Sequence, residues 1–245
     1  MVEVLGVRID PVTWIELRER VVHAIRERRP TTLMYANVHV LNTAHEQPAL
    51  ADALATADVV YCDGEGVRVA ARLAGSSLPE RMTGADFIWD LARELATIRA
   101  KAYWVGGAGD VGADALAILA ERNPGLQVAG AHHGFFEKEG RESDAVIDAI
   151  NASGADIVFV GMGTPAQELW VARNRERIAA PVVWSIGATA DFVAGVQPRG
   201  PAFLTQHGFE WLARLWSDPR RLFGRYVIGN PLFVARVVRR RLARR

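Results

Sequence analysis

Asp58-Val59-Val60-Tyr61-Cys62-Asp63-Gly64-Glu65-Gly66 is the stretch that decides the fold. Its apolar run, Val59–Cys62, stops at two carboxylates set between glycines. A short apolar run bounded by turn residues reads as a strand buried on both faces, the habit of a parallel sheet. In open α/β sheets, ligands bind beyond the carboxyl ends of the strands. Asp63 and Glu65 therefore fall on a loop where chemistry is placed. An isolated Asp-Gly pair is more often a surface turn, so the site reading depends on the neighbouring segments.

The alternation continues in both directions. Upstream, Val2–Ile9 reads as a strand and Asp10-Pro11 as a helix start. Leu33–Asn37 reads as a strand ending in Asn37-Val38-His39, and a helical stretch interrupted at Pro48 leads into Val59–Cys62. Downstream, Val67–Leu73 reads as helix, and Thr83 as the cap of a helix over Asp86–Ile98. Ala102–Val105, Leu126–Ala131, Ile157–Val160 and Val182–Ile186 read as strands. Between them lie helical patterns over Val111–Arg122, Ser143–Ala152 behind a serine cap, and Ala166–Ile178. Strands alternating with helices of this length predict right-handed βαβ units. The expected class is α/β: a Rossmann-like parallel sheet flanked by helices on both faces, over residues 1–195. Residues 196–245 are expected to form a basic helical appendage, with helices over Phe209–Trp216, Pro219–Ile228 behind Asp218, and Pro231–Arg245.

Bulk properties narrow the class. Of 245 residues, 50% are hydrophobic, which is enough for a substantial core. Cys62 stands alone, so no intrachain disulfide forms, as suits a reducing cytoplasm. Met1–Asp10 carries no signal-peptide pattern. No window approaches the ~20 apolar residues of a spanning helix. The net charge of +1 hides an asymmetry. Residues 196–245 hold eleven arginines and two acids, a net +9, leaving −8 for the rest. A basic tail on an acidic body meets something anionic, whether phospholipid, nucleic acid or a phosphorylated ligand. Six arginines fall in the last ten residues. Leu232, Phe233, Val237, Val238 and Leu242 can share one broad helical face there, the composition of an interfacial helix.

Strand-end loops supply the remaining motifs. Gly161-x-Gly163-x-Pro165-x-Gln167-Glu168 opens a helix whose N-terminus suits phosphate. Gly106-Gly107-x-Gly109 and Gly187-Ala188 are similar loops, each weak alone. No G-x-G-x-x-G fingerprint opens the chain and no Walker sequence occurs, which disfavours a dinucleotide oxidoreductase and a P-loop enzyme. Asp63 and Glu65 could chelate a divalent cation, but no further cluster completes a shell, so general-base use is preferred. His132-His133 reads as a loop feature and Cys62 as buried packing. Arg81 reads as a solvated charge or a phosphate fork.

In order and spacing these pieces resemble the WecG/TagA/CpsF glycosyltransferases over nearly the whole chain. The resemblance rests on Tyr35-Ala36-Asn37-Val38, Asp63-Gly64-x-Gly66-Val67, Pro79-Glu80-Arg81-x-Thr83-Gly84-x-Asp86, Tyr103-x-Val105-Gly106-Gly107 and Gly134-Phe135-Phe136. It continues through Gly161-x-Gly163-x-Pro165-x-Gln167-Glu168-x-Trp170, Arg199-x-Pro201, Gly208-x-Glu210-Trp211-Leu212-x-Arg214-Leu215, Asp218-Pro219-Arg220-Arg221-Leu222 and Arg225-Tyr226. It implies an inverting transferase with no metal or other cofactor, working on a UDP-sugar donor and a polyprenyl-diphosphate-linked acceptor. By position, Asp63 would be the general base, and Asn37, Gly163 and Gln167 would contact substrate. Arg81, Arg214, Arg221 and Arg225 would stabilise the leaving diphosphate. Tyr35 departs from the smaller polar residue of the family pattern, and Phe203 replaces a Trp. The tail would dock on an anionic inner membrane face, with a homo-oligomer possible. The competing expectations are a nucleic-acid-binding protein using the tail and another UDP-sugar transferase of the same family.

Overall fold

The computed structural model describes residues 2–197, 215–216 and 219–243. Arg214 and Asp218 lie outside the described residues, as do the helix expected from Phe209 up to residue 214 and the side chain of Arg221.

The chain opens with strands β1 (Val2–Val4) and β2 (Val7–Ile9), paired antiparallel. Sequence reading predicts one strand here. Instead Leu5 and Gly6 both take positive φ, 51° and 94°, and turn the chain back as a two-residue hairpin. Helix α1 (Trp14–Arg26) follows behind a capping box of Thr13 and Glu16. Then come β3 (Thr31–Ala36), α2 (Val38–Glu46), α3 (Pro48–Ala55), β4 (Val59–Cys62), α4 (Glu65–Leu73) and α5 (Gly84–Thr97). The second half runs β5 (Lys101–Gly106), α6 (Val111–Arg122), β6 (Gln127–His132), α7 (Gly140–Ser153), β7 (Ile157–Gly161), α8 (Ala166–Asn174), β8 (Val182–Ser185) and α9 (Thr189–Val193). Two sequence-read caps take other roles. Ser143 lies inside α7, where its Oγ accepts from Trp170 Nε1 at 2.8 Å. Thr83 precedes α5 without capping it through its side chain.

Six parallel strands pair in the order β4-β3-β8-β7-β5-β6. Every residue of β3, β4 and β8 is buried, so helices cover both faces. Register puts Trp104, Phe159, Trp184 and Leu33 on one face. There Phe87 of α5 stacks on Trp184 at 5.1 Å, and Trp14 of α1 stacks on Phe87 at 4.8 Å. The β4 edge would be a bare template for another strand. The start of the chain closes it: Asp10 N–H donates to Val60 O, and Val60 N–H to Asp10 Oδ2.

The last part is continuous helix. It runs from α10 (Pro219–Phe223) through a π-helical turn (Gly224–Ile228) into α11 (Gly229–Ala243). Pro231, predicted to start a helix, lies just after the π-helical turn, inside the continuous helix, where it gives up one backbone hydrogen bond. Helix α11 packs on α2 and α4. Phe233 and Val237 are buried in the main core. Arg236 bonds Asn42 and Glu46, Asn42 Nδ2 donates to Gly229 O, and Arg240 pairs with Glu3 at 2.7 Å. Leu232, Val234, Val238 and Leu242 remain exposed.

Candidate active site

Helix α2 fixes the first site residue. Asn37 is its N-cap, its Oδ1 accepting from Val40 N–H at 3.0 Å. That bond commits the oxygen and turns the amide nitrogen outward. Nδ2 then donates to Asp63 Oδ2 at 3.1 Å, and Thr83 Oγ1 donates to Asp63 Oδ1 at 3.2 Å. Asp63 follows β4, and its own N–H is tied to Ala36 O on β3. Two strand ends and the segment leading into α5 therefore converge on one carboxylate.

Two pockets meet there. The larger, about 620 Å³, lies over the carboxyl ends of all six strands. Its walls include Tyr35, Gly107, Gly134, Gly163 and Gly187. The smaller, about 320 Å³, lies between α4 and α11 and includes Arg81, Glu65, Asn230 and Phe233. Asn37, His39, Asp63, Thr83, Arg225 and Tyr226 line both. The π-helical turn delivers Arg225 and Tyr226, the guanidinium lying 5.4 Å from the ring centroid. Such turns are frequent at functional sites. Arg225 Nε is buried with no hydrogen-bond partner among the described residues.

The glycine loops divide into two kinds. A Cβ on Gly106 would lie 2.3 Å from Gly161 O, and one on Gly161 2.3 Å from Gly187 O. These glycines let the ends of β5, β7 and β8 touch. Gly163 differs: its φ is +79° and nothing lies within 4 Å of where its Cβ would be, so it faces open pocket.

Gln167 lies behind that wall and is fully buried. Its Nε2 donates to Tyr35 hydroxyl at 3.2 Å and to Glu168 Oε1 at 2.8 Å. Thr164 Oγ1 donates to the same Glu168 oxygen at 3.1 Å. Of the two, Tyr35 lines the pocket and Gln167 supports it from below. Burial pushes the Glu168 carboxyl up to about 7, against the hydrogen bonds from Gln167 and Thr164 that favour ionisation. Burial, then the Glu168 charge, pushes the Tyr35 phenol up to about 12.

The groups beside Asp63 are held neutral. Burial, then the Asp63 charge, raises the Cys62 thiol to about 12, which removes it as a nucleophile at neutral pH. Burial, then Arg225, lowers His39 to about 4, so the pocket holds a neutral imidazole. Glu65 lines the smaller pocket but is ion-paired with Arg68 at 2.9 Å and Arg72 at 3.4 Å. Arg81 pairs with Asp86 at 3.5 Å at the pocket wall. No group of three His, Cys, Asp or Glu able to hold a metal lies among the described residues.

The structure brings together Asp63, Asn37, Arg81, Arg225 and Gly163, and sets Gln167 one layer back. His39 and the Thr83 hydroxyl belong to the site without having been singled out by sequence. The available signal was position: His39 is two residues past Asn37 at a strand end.

A carboxylate set where two substrate-sized cavities meet marks the place in this α/β fold where ligands bind. A sequence profile of the Glycosyl transferase WecG/TagA/CpsF family matches residues 2–245, and the chain belongs to that family of glycosyltransferases. One relative, from Staphylococcus aureus (strain MRSA252), is 26% identical over 240 residues, covering 97% of this chain and 92% of its own. Another, from Bacillus spizizenii, is 30% identical over 207 residues, covering 84% and 78%. Both are named N-acetylglucosaminyldiphosphoundecaprenol N-acetyl-beta-D-mannosaminyltransferase.

Proposed function

We propose that the protein is an inverting, metal-independent transferase. It moves a sugar of the N-acetylmannosamine type from a UDP donor to a polyprenyl-diphosphate-linked acceptor, in the synthesis of a cell-surface polymer. The observation that carries this reading is the place of Asp63 on the wall of both pockets. The larger pocket takes the donor. Its diphosphate faces Gly163 and the N-terminal N–H groups of α8, and Phe135, 76% exposed at the rim, offers a face to the base. The smaller pocket takes the acceptor sugar, with Arg81 near its phosphates.

One displacement then suffices. Asp63 takes the acceptor's hydroxyl proton as the oxygen bonds the anomeric carbon. The bond to UDP breaks on the opposite face, and its electron pair leaves with the diphosphate. Arg225, joined by Arg214 and Arg221, offsets that charge. Asn37 and Thr83 orient the base, because each holds one carboxylate oxygen.

The protein works as a peripheral protein on the inner face of the membrane. No helix among the described residues is long and apolar enough to cross one. The tail instead exposes Trp216, Phe223, Ile228 and Leu242 beside Arg239 and Arg241. Apolar side chains interleaved with cations suit anionic lipid better than nucleic acid.

The test is a screen of UDP-sugars with a lipid-linked N-acetylglucosaminyl diphosphate, following UDP release and product anomer with and without EDTA. Acceptor-dependent UDP release, inverted product and indifference to EDTA are expected. A retained anomer, or strict dependence on Mg²⁺ or Mn²⁺, would overturn the mechanism.

A further inference from the structure

Helices α4 and α11 lie side by side, and both begin at the smaller pocket. On α4, Gly66 and Val69 line that pocket, while Leu73 and Ala74 line a separate cavity of about 260 Å³ further along. On α11, Phe233 and Val234 line the first, and Val237 and Arg241 line the second. The spacings of three and four residues make each set a single stripe on its helix. The α4–α11 seam therefore runs past both cavities, and its α4 side, Gly66 to Ala74, spans about 12 Å. The far cavity is closed below by Val4 and Leu5 of the hairpin. Its walls are mainly apolar, with the Glu3–Arg240 pair and Arg241 at the mouth. Val69 and Val234 stand 44% and 53% exposed where the seam leaves the reaction pocket. Aliphatic groups left open between a pocket that holds Arg81 and Arg225 and a mainly apolar cavity fit a long hydrocarbon with an anionic head.

We propose that the α4–α11 seam is the lipid subsite of the acceptor, holding the isoprene units next to the diphosphate while Arg81 faces the head. This rests on the transferase reading above and adds the path of the chain. The seam gives chain length a role: a prenyl tail too short to reach Leu73 forgoes the far cavity.

The experiment uses the full chain in detergent micelles, so that a bilayer contributes nothing. Two acceptors carry the same sugar diphosphate, one on a single isoprene unit and one on a long prenyl chain. The wild type and Ala74→Trp are compared; position 74 is exposed at the end of α4, so a large side chain there fills the cavity mouth and spares the core. The expected result is a rise of tenfold or more in KM for the long acceptor only. The kcat, the donor KM and the short acceptor's KM stay unchanged. Equal effects on both acceptors, or none, overturn the proposal while leaving the transferase reading standing. A second arm needs no turnover. A prenyl diphosphate with a photoreactive chain end should label residues 70–75 and 237–241, and labelling confined to other segments overturns the seam. Labelling there by a protein that transfers no sugar would keep the seam and overturn the transferase.

Discussion

At the scale of single residues, the site depends on what each neighbour does to a carboxyl group. Asp63 accepts from Asn37 and Thr83 and lines both pockets. Asp63→Asn keeps the shape and removes the proton acceptor. It is expected to lower kcat by about 10²–10⁴-fold while UDP-sugar affinity, measured by calorimetry, stays as in the wild type. Full turnover in that variant would exclude the base role. Glu168 carries the opposite lesson. Its carboxyl sits at about 7 in the folded chain against 4.5 for the ordinary group. The native state therefore holds the proton more tightly. That contribution to stability is complete below about 4.5 and is lost as pH rises through 7, at most about 3 kcal/mol. Glu168→Gln should flatten this dependence, so that the gap in melting temperature between variant and wild type widens in the variant's favour from pH 4.5 to pH 8. A constant gap would show that the group ionises normally. Asp63 was legible in the sequence because a strand pattern ended on it. Its partner Thr83 was not. A threonine before a helix reads as a cap, and only the fold brings residue 83 beside residue 63.

At the scale of elements, the ends of β5, β7 and β8 are bound by backbone contact. A methyl group on Gly161 has nowhere to go, since the nearest obstacle is a carbonyl and not a flexible side chain. Gly161→Ala is expected to cost about 2 kcal/mol or more, a fall of about 4–8 °C in melting temperature for a chain of this size. Gly163→Ala meets no atom but must hold φ at +79°, which costs about 1 kcal/mol. If calorimetry finds the two equal, the packing account is wrong. The alternation of strand and helix was readable because each buried strand is a short apolar run. Strand order was not, because nothing local tells β5 to cross past β8 to the far side of the sheet. The hairpin was missed for a related reason. Val2–Ile9 alternates like one strand, and the turn rests on Leu5 taking a backbone conformation that leucine rarely adopts.

At the scale of the whole molecule, the tail has two faces with different fates. The amphipathic pattern marks α11 as two-sided, yet it does not say which apolar residues turn inward. Phe233 and Val237 enter the core, each worth about 1.5–3 kcal/mol, and arginines 236 and 240 are tied to the body. What remains outside is Phe223, Val227 and Ile228 on the π-helical side and Leu232, Val238 and Leu242 along α11. Replacing Phe223, Val227 and Ile228 together by serine should lower partitioning onto anionic liposomes about tenfold or more, with the melting temperature unchanged. Added salt should weaken the wild type's binding. Flotation equal to that of the wild type would remove this surface from the membrane contact.

The two pocket walls are also separated in time. A ribosome that has made residues 1–197 has made all six strands of the sheet, with Asp63 and its partners Asn37 and Thr83. It has not yet made Leu222, Arg225 or Tyr226, which complete the larger pocket, nor Phe233, which closes the smaller. The nascent enzyme can therefore hold its base in place before it has a chamber in which to use it. A frame interrupted late, anywhere before residue 222, yields the whole sheet and no finished site.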